Sequence, residues 1–330
     1  MKVLFTGSTG FIGRHCLGYL LHRGHAVTIT VRNEAKGKQS LSDNVKFSDA
    51  LSYAVVPDMI SPGAFDTAVQ VRSFDAVIHM ASPFNYSAED VKRDMIDPAV
   101  RGTTEILNAI KDFAPTVKRV VITSSFAAVI NFGEAVRNYT ADVWNPISME
   151  QALSGGQLAY VGSKTFAERA AWDFIEKEQP GFTLSTINPV MVFGPVSYPL
   201  KTLDAVNTSN AVFKDIITGK WRDEIPSNTF KWVDVRDVAL AHVRAIEVAE
   251  AGGKRFLAAA GGYSNVLLAR IVKKKMPDLM DKLPERIEAV DVAEDFTIDT
   301  SPMEEMLGIQ FRSLEESVTD AIQSLIQVKG

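Results

Sequence analysis

The sequence predicts an α/β protein built on a doubly wound parallel sheet. Three apolar runs, Lys2–Thr6, Ala76–Met80 and Arg119–Thr123, are continuous rather than alternating, which is typical of strands buried on both faces. Segments with helical periodicity lie between such runs along the chain. The alternation of strand and helix indicates parallel strands joined by crossover helices, because parallel neighbours cannot be joined by a tight turn.

The remaining elements follow in chain order. The predicted elements of the first half are a helix at Phe11–Arg23, a strand at Ala26–Val31, helices at Val91–Phe113 and Tyr160–Glu178, and a strand at Thr183–Ile187. Those of the second half are helices near Asn207–Thr218 and Arg236–Glu250, a strand around Arg255–Ala259, and two C-terminal helices. We therefore expect a dinucleotide-binding domain at 1–190, rejoined by 233–262. A smaller, interwoven substrate lobe is expected at 191–232 and 263–330.

Composition narrows the class of protein. The chain has 330 residues, a net charge of −5 and a single cysteine. The charge disfavours nucleic-acid partners, and the lone Cys16 fits a reducing compartment rather than a disulfide framework. The N-terminal apolar run stops at Gly7 and no run is long enough for a membrane span, so a cytoplasmic protein without membrane or nucleic-acid contacts is predicted. The five histidines have no metal-ligand spacing, so no metal site is predicted.

A glycine-rich loop, Gly7-Ser8-Thr9-Gly10-Phe11-Ile12-Gly13, joins the first strand to the first helix. The three glycines permit a tight turn, close approach of a pyrophosphate and close packing of helix on strand, in that order. The helix N-terminus presents free N–H groups to phosphate oxygens. This context predicts a Rossmann-type dinucleotide site.

The end of the second strand predicts which dinucleotide binds. NAD-binding chains usually place a carboxylate there for the ribose 2′-hydroxyl. This chain has Arg32, followed by Lys36 one helical turn later. A guanidinium can bind a 2′-phosphate through two hydrogen bonds, so NADPH is the predicted cofactor.

Tyr160 and Lys164 are four residues apart in a predicted helix and share one face. The pKa of tyrosine is about 10 when unperturbed. A nearby ammonium is expected to lower the pKa of Tyr160, which would make it a general acid for a developing alkoxide. Thr123-Ser124-Ser125 ends a buried strand, where open α/β sheets bind ligands, and a serine hydroxyl there can polarise a carbonyl.

The order of glycine loop, serine and Tyr-x-x-x-Lys resembles the extended, atypical branch of the short-chain dehydrogenase/reductase superfamily. Segment 79–84 resembles the family's segment after the fourth strand, which lines the cofactor. Segments Ala159–Lys164 and 188–195 resemble a subgroup that contains plant dihydroflavonol and cinnamoyl-CoA reductases. Segments 170–172, 207–209, 234–239 and 307–314 are similar to the yeast NADPH-dependent methylglyoxal and isovaleraldehyde reductases. The resemblance covers nearly the whole chain.

This resemblance implies an NADPH-dependent carbonyl reductase that reduces small aldehydes, ketones, α-diketones or keto esters. It implies that Ser125, rather than Ser124, binds the carbonyl, that Tyr160 donates the proton, and that Lys164 assists it. The implied NADPH contacts are Gly7, Ser8, Thr9, Gly10, Phe11, Ile12, Arg32, Lys36, Asp58, Met59, Ala81, Tyr160, Lys164, Val192 and Ser209. Asp58 and Met59 would bracket the adenine, and Ser209 would lie on the adenosine phosphate side.

One position departs from the superfamily pattern, and several residues have two interpretations. Ala99 stands where many members have an asparagine that belongs to a proton relay. His79 follows a buried strand without a neighbouring carboxylate and is interpreted as a core or cofactor-lining residue. Asp234 and Asp237 are interpreted as structural residues at a helix start. The candidates for an apolar substrate pocket, which could equally belong to the core, are Phe84, Phe126, Met191, Tyr198 and Trp232.

Two other functions stay open. A nucleotide-sugar epimerase of the same superfamily would retain NAD, and Arg32 disfavours it. A non-catalytic NADP-sensing regulator would typically lack the Tyr-x-x-x-Lys pair, which this chain has. The sequence is compatible with a monomer or a homodimer, and a small carbonyl compound is the expected partner.

Overall fold

The structure, a computed structural model, describes residues 1–82, 89–131, 133, 137–197, 200, 202–288 and 296–328. The strands in these residues are β1 (Lys2–Thr6), β2 (Ala26–Val31), β3 (Leu51–Val55), β4 (Ala76–His79), β5 (Arg119–Thr123), β6 (Asn138–Tyr139), β7 (Thr183–Pro189), β8 (Met191–Phe193), β9 (Thr229–Asp234), β10 (Arg255–Ala258), β11 (Gly261–Ser264) and β12 (Thr297–Ile298).

The α-helices of the same residues surround these strands. They are α1 (Phe11–His22), α2 (Glu34–Asp43), α3 (Asp66–Gln70), α4 (Asp97–Phe113), α5 (Met149–Leu153), α6 (Gly156–Glu178), α7 (Ala211–Ile217), α8 (Val235–Glu247), α9 (Asn265–Lys275), α10 (Ser301–Glu305) and α11 (Leu314–Ile326). A π-helical turn at Lys92–Ile96 leads into α4, so the predicted helix at 91–113 is two segments. None of the described helices is long and apolar enough to cross a membrane.

Seven strands form one parallel sheet in the order β10-β7-β5-β4-β1-β2-β3. The order reverses between β1 and β4, where the chain turns from building one edge of the sheet to building the other. In open sheets a crevice opens at this point beyond the carboxyl ends of the strands, and ligands bind there. The doubly wound fold predicted from the sequence is confirmed.

The two faces of the sheet explain the continuous apolar strands. In β1, Val3 and Phe5 lie in the hydrophobic cluster on one face, and Leu4 lies in the cluster on the other. All three side chains are 0% exposed. Burying a side chain of this size contributes about 1.5–3 kcal/mol. Helices α1 and α8 pack together on one face, and α4 packs with α6 on the other.

Helix α6 begins earlier than the periodicity predicted. It starts at Gly156, directly after Gly155, and both glycines have positive φ. These glycines permit the sharp change of chain direction that precedes the helix, because residues with a Cβ are strained at positive φ. Tyr160 therefore lies in the second turn of α6 rather than at its start, where the sequence had placed it.

A second, three-stranded sheet in the order β11-β9-β8 lies in the C-terminal part of the chain. Its aromatic core includes Phe193, Trp221 and Tyr263. Trp232, which the sequence left open between pocket and core, is 3% exposed and stacks on Phe193, so it belongs to the core. Between β9 and β11 the chain returns to the main sheet as β10, so the two sheets are interwoven along the chain.

Candidate active site

The glycine loop packs as tightly as its spacing predicted. Gly7 has φ +79°, and a Cβ on it would lie 2.6 Å from the amide nitrogen of Ala81. A Cβ on Gly13 would lie 2.0 Å from the carbonyl oxygen of Gly7. Both glycines are thus required for close backbone packing between β1, α1 and the end of β4.

Gly10 has a different environment. A Cβ there would meet only the Gly7 carbonyl oxygen, at 3.4 Å, which is ordinary contact. Gly10 instead lines the open space beside the loop and is the N-cap of α1, where no side chain caps the helix. An uncapped helix N-terminus behind an open glycine surface fits a pyrophosphate, which accepts hydrogen bonds from backbone N–H groups.

Two cavities meet at this loop and share Gly7, Gly10 and Met80; together they are called the cleft. The larger, about 770 Å³, is the outer cavity, and the smaller, about 510 Å³, is the inner cavity. The outer cavity is lined by Arg32, Lys36, Asp58, Met59 and Ala81, among others. It therefore brings together predicted cofactor contacts that follow β2, β3 and β4.

Asp58 is held in its turn by short polar contacts. Its carboxylate accepts from the Ser61 hydroxyl at 2.7 Å and from the Ile60 amide at 3.2 Å. The hydrogen bond from Ser61, followed by that from Ile60, lowers the pKa of Asp58. The carboxylate is therefore ionised at neutral pH and orients the 58–61 turn along the outer cavity.

The inner cavity contains the predicted catalytic residues Ser125, Tyr160 and Lys164. Ser125 follows β5, and its Oγ accepts from the Ala127 amide at 3.1 Å. The side chains of Ser125 and Tyr160 are hydrogen-bonded to each other. The Lys164 Nζ lies 5.9 Å from the centroid of the Tyr160 ring and donates to the Ser82 hydroxyl at 3.2 Å.

The pKa of Tyr160 differs from the sequence-based expectation. Burial raises it above the ordinary value, and the hydrogen bond with Ser125 lowers it by less. Burial also lowers the pKa of Lys164 to about 8. The expected lowering of the Tyr160 pKa by Lys164 is therefore not observed, because desolvation disfavours both charged forms. Tyr160 is a protonated phenol at neutral pH.

His79 belongs to the core. It ends β4, is 2% exposed, and its Nδ1 lies 2.9 Å from the Thr6 Oγ1. Burial, followed by the Lys164 charge, lowers the pKa of His79 to about 3, so the ring stays neutral. No three His, Cys, Asp or Glu side chains among the described residues could together hold a metal ion.

Predicted contacts from the C-terminal part fall into the inner cavity. Met191, Val192 and Ser209 line it, and so does Phe126, which follows β5. Ser209, which the resemblance places on the adenosine phosphate side, lines this cavity together with the glycine loop and the catalytic residues, and it donates to the Val192 carbonyl at 2.5 Å. Phe84 and Tyr198 lie outside the described residues.

Sequence reasoning missed several polar residues of the cleft. Gln157 and Asn207 line the inner cavity, and Ser82 lines the outer one. Glu168 lies behind the inner cavity and accepts hydrogen bonds from several strands. Its position four residues after Lys164 on α6 was a visible signal, because that spacing repeats the Tyr160–Lys164 step.

Comparison with known families identifies the class. Residues 3–259 match the NAD dependent epimerase/dehydratase family, and the chain belongs to this family. The Rossmann-like sheet and the glycine loop described above are the features that such a dinucleotide-dependent family requires.

Among its relatives, the chain is 43% identical to ketoreductase azaE of Aspergillus niger, over 99% of this chain and 98% of that protein. It is 33% identical to the NADPH-dependent methylglyoxal reductase GRE2 of Saccharomyces cerevisiae, over 100% and 99% of the two chains. The crystal structure of Gre2 from Candida albicans in complex with NADPH is 38% identical, covers 100% of both chains and has a TM-score of 0.93. The resemblance stated from sequence is confirmed.

A UDP-glucose 4-epimerase from Thermotoga maritima also superposes, with a TM-score of 0.73 at 18% identity. At that identity the likeness concerns the fold alone.

Proposed function

We propose that this chain is an NADPH-dependent carbonyl reductase that transfers hydride to small aldehydes, ketones, α-diketones or keto esters, of which methylglyoxal and isovaleraldehyde are examples. One observation carries the proposal. A hydrogen-bonded Ser125–Tyr160 pair, with Lys164 beside it, faces a small cavity that opens onto the glycine loop. The activities for which the ketoreductase and methylglyoxal reductase relatives are named support the same chemistry.

The outer cavity fits the adenosine half of NADPH and the loop fits its pyrophosphate. Gly7 through Ile12 would hold the pyrophosphate, Arg32 and Lys36 the 2′-phosphate, and Asp58, Met59 and Ala81 the adenine side. Val192, Ser209, Tyr160 and Lys164 would lie toward the nicotinamide end. When bound, NADPH supplies the hydride.

Ser125 and Tyr160 would together receive the substrate carbonyl oxygen. The Ala127 amide occupies a lone pair of the Ser125 Oγ, which leaves the serine proton to donate to the substrate. Tyr160 remains protonated because burial raises its pKa, and it donates that proton to the alkoxide as negative charge develops. The ammonium of Lys164 would stabilise the phenolate that remains.

The wall of the inner cavity suits small, weakly polar substrates. It includes Phe126, Ile130, Met191 and Phe230. Such a lining favours alkyl groups over the hydroxyl groups of sugars, since buried hydroxyls need partners. We assign substrate binding to residues 191–232 and 263–330, with dinucleotide binding at 1–190 and 233–262.

The cysteine content bears on the cell compartment in which the enzyme would work. The one cysteine, Cys16, is buried and unpaired. This fits a cytoplasmic enzyme, monomeric or homodimeric, whose partner is a small carbonyl compound rather than nucleic acid or membrane.

The test is Tyr160→Phe, which removes only the phenolic hydroxyl. NADPH consumption with a panel of small aldehydes and ketones should fall by about 10²–10⁴-fold, as expected for loss of a general acid. NADPH binding, followed by its fluorescence, should change by less than about twofold. Tyr19→Phe is the matched control, because Tyr19 lies on α1 outside the residues that line the cleft.

Two outcomes would overturn the proposal. Full activity in Tyr160→Phe would show that Tyr160 is not the general acid. Binding of NADPH by the wild type without consumption on any carbonyl would favour the sensing regulator instead. The epimerase alternative is disfavoured because Arg32, rather than a carboxylate, directly follows β2.

A further inference from the structure

Glu168 continues the row of catalytic residues on α6. Tyr160, Lys164 and Glu168 are spaced by four, so they share one face of the helix. The first two line the inner cavity, whereas the Glu168 side chain is only 1% exposed and lies behind it. A carboxylate this buried needs several donors, because removing its charge from water is costly.

Donors from four elements meet this carboxylate. Its oxygens accept from the Ser124 hydroxyl at 2.5 Å, the Asn188 carboxamide at 2.6 Å, the Arg255 guanidinium at 2.7 Å and the Trp172 indole at 3.2 Å. The Thr186 hydroxyl lies 3.1 Å from Glu168 and 2.9 Å from the Asn188 Oδ1. Glu168 therefore joins α6 to the ends of β5, β7 and β10.

Arg255 balances the charge of Glu168 and is itself held in place. Its guanidinium stacks on the Trp144 ring at 3.8 Å and donates to the carbonyls of Ala141 and Val143. The ion pair is enclosed, with 7% and 1% exposure of the two side chains. An ion pair held by this many contacts keeps one geometry, because water cannot replace any of its buried hydrogen-bond partners.

The contacts lead from Glu168 to Ser125. The Asn188 Nδ2 donates both to the Glu168 Oε2 and, at 3.2 Å, to the carbonyl oxygen of Ser125. Ser124, which also donates to Glu168, is the preceding residue in the chain. The backbone on both sides of the Ser124–Ser125 peptide is thus held from the helix that carries Tyr160.

We propose that Glu168 is a positioning residue: through Asn188 and Ser124 it sets the Ser125 hydroxyl against the Tyr160 hydroxyl on the same helix. This inference rests on the proposed reductase function. Reacting groups must be aligned closely, and a displacement of about 1 Å can cost about 10²-fold in rate. Glu168 lines neither cavity of the cleft, so in this arrangement it acts only through the serine.

Two variants test it by different routes. Glu168→Gln keeps the size of the side chain but places an amide N–H₂ among groups that donate hydrogen bonds. The variant also leaves Arg255 without its charge partner, which can destabilise the fold. Asn188→Ala breaks the link to Ser125 while the ion pair with Arg255 stays intact. Glu178→Gln is the matched control, since Glu178 lies on the same helix and pairs with Lys111 at the surface.

We expect kcat to fall by about 10–100-fold in Glu168→Gln and in Asn188→Ala, with the Kd for NADPH changed by less than about threefold. Glu178→Gln should keep wild-type kcat. A structural role alone would lower the amount of folded enzyme without lowering kcat per folded site, which NADPH titration measures.

A double-mutant comparison decides the route. In a Ser125→Ala background, Asn188→Ala should lower the residual kcat by less than about threefold, because the serine hydroxyl it positions is gone. An undiminished loss in that background, or wild-type kcat in Asn188→Ala, would overturn the inference. If wild-type enzyme reduces no carbonyl, the proposed function fails instead, so the two failures are distinguishable.

Discussion

Removal of the positive charges at the end of β2 should weaken the use of NADPH but not of NADH. Arg32 follows β2, and Lys36 lies in the first turn of α2, where the Asn33 side chain accepts from its amide at 3.0 Å. Both side chains are exposed and line the outer cavity. Neither forms an ion pair within the described residues, and the nearby Glu34 accepts from the Tyr53 hydroxyl. Both cations are thus available to a 2′-phosphate.

The magnitude follows from exposure. A hydrogen bond to a charged group contributes about 1.5–3 kcal/mol, and exposed sites lie at the lower end because water and salt screen the charge. About 1.4 kcal/mol corresponds to a factor of ten. Arg32→Ala and Lys36→Ala should therefore each lower kcat/KM for NADPH by about tenfold, and the double variant by about 100-fold.

The assay measures kcat/KM with NADPH and with NADH on the same aldehyde. Lys38→Ala is the matched control, because Lys38 is exposed on α2 but does not line the outer cavity. Arg32→Asp should also raise the relative use of NADH, since a carboxylate can accept from a ribose 2′-hydroxyl. The loss with NADPH should shrink at high salt. An equal loss with both cofactors, or an unchanged ratio in the double variant, would refute the assignment.

Two further predictions concern stability, measured by urea unfolding. Gly13→Ala should lower the free energy of unfolding by about 1–3 kcal/mol, because the new Cβ would lie 2.0 Å from the Gly7 carbonyl oxygen. Gly18→Ala is the control in the same helix: its Cβ would meet nothing within 4 Å, so the free energy of unfolding should rise by about 0.5–1 kcal/mol. The second prediction concerns Glu247. Burial raises the pKa of Glu247, but hydrogen bonds, led by the one from Arg23, lower it by more, so that the pKa falls from 4.5 to about 2. Its stabilisation is therefore present above pH 4.5 and lost toward pH 2, so Glu247→Gln should cost more at about pH 7 than at about pH 3; equal costs would contradict this.

Much of the fold was predictable because its signals are local. A few consecutive residues suffice to predict the glycine loop and the strands β1, β4 and β5, which are continuous apolar runs. Strand β3 and helix α2 were not predicted. The β3 residues Ser52 and Tyr53 are half-buried and weaken the apolar pattern at this edge of the sheet. Helix α2 has a mostly polar surface, so its periodicity is faint.

The candidate site was predictable to the level of residue types and spacing. Ser125, Tyr160 and Lys164 line one cavity, as the order of motifs suggested. The surroundings of individual residues were harder to predict from the sequence. Trp232 lies in the core of the second sheet, and Ser209 lies in the inner cavity beside Val192, because the course of the chain between the sheets decides which segments meet.

The sequence by itself determined the phosphate loop, the cationic end of β2 and the shared helical face of Tyr160 and Lys164, since each follows from neighbours in the chain. Only the tertiary structure decided the direction in which the Tyr160 pKa shifts and the hydrogen bonds that surround the buried Glu168. Desolvation and buried hydrogen bonds depend on distant segments: Ser124, Asn188 and Arg255 come from three different strands or strand ends. Spacing along the chain brings a tyrosine beside a lysine, but packing sets the charge that each can carry.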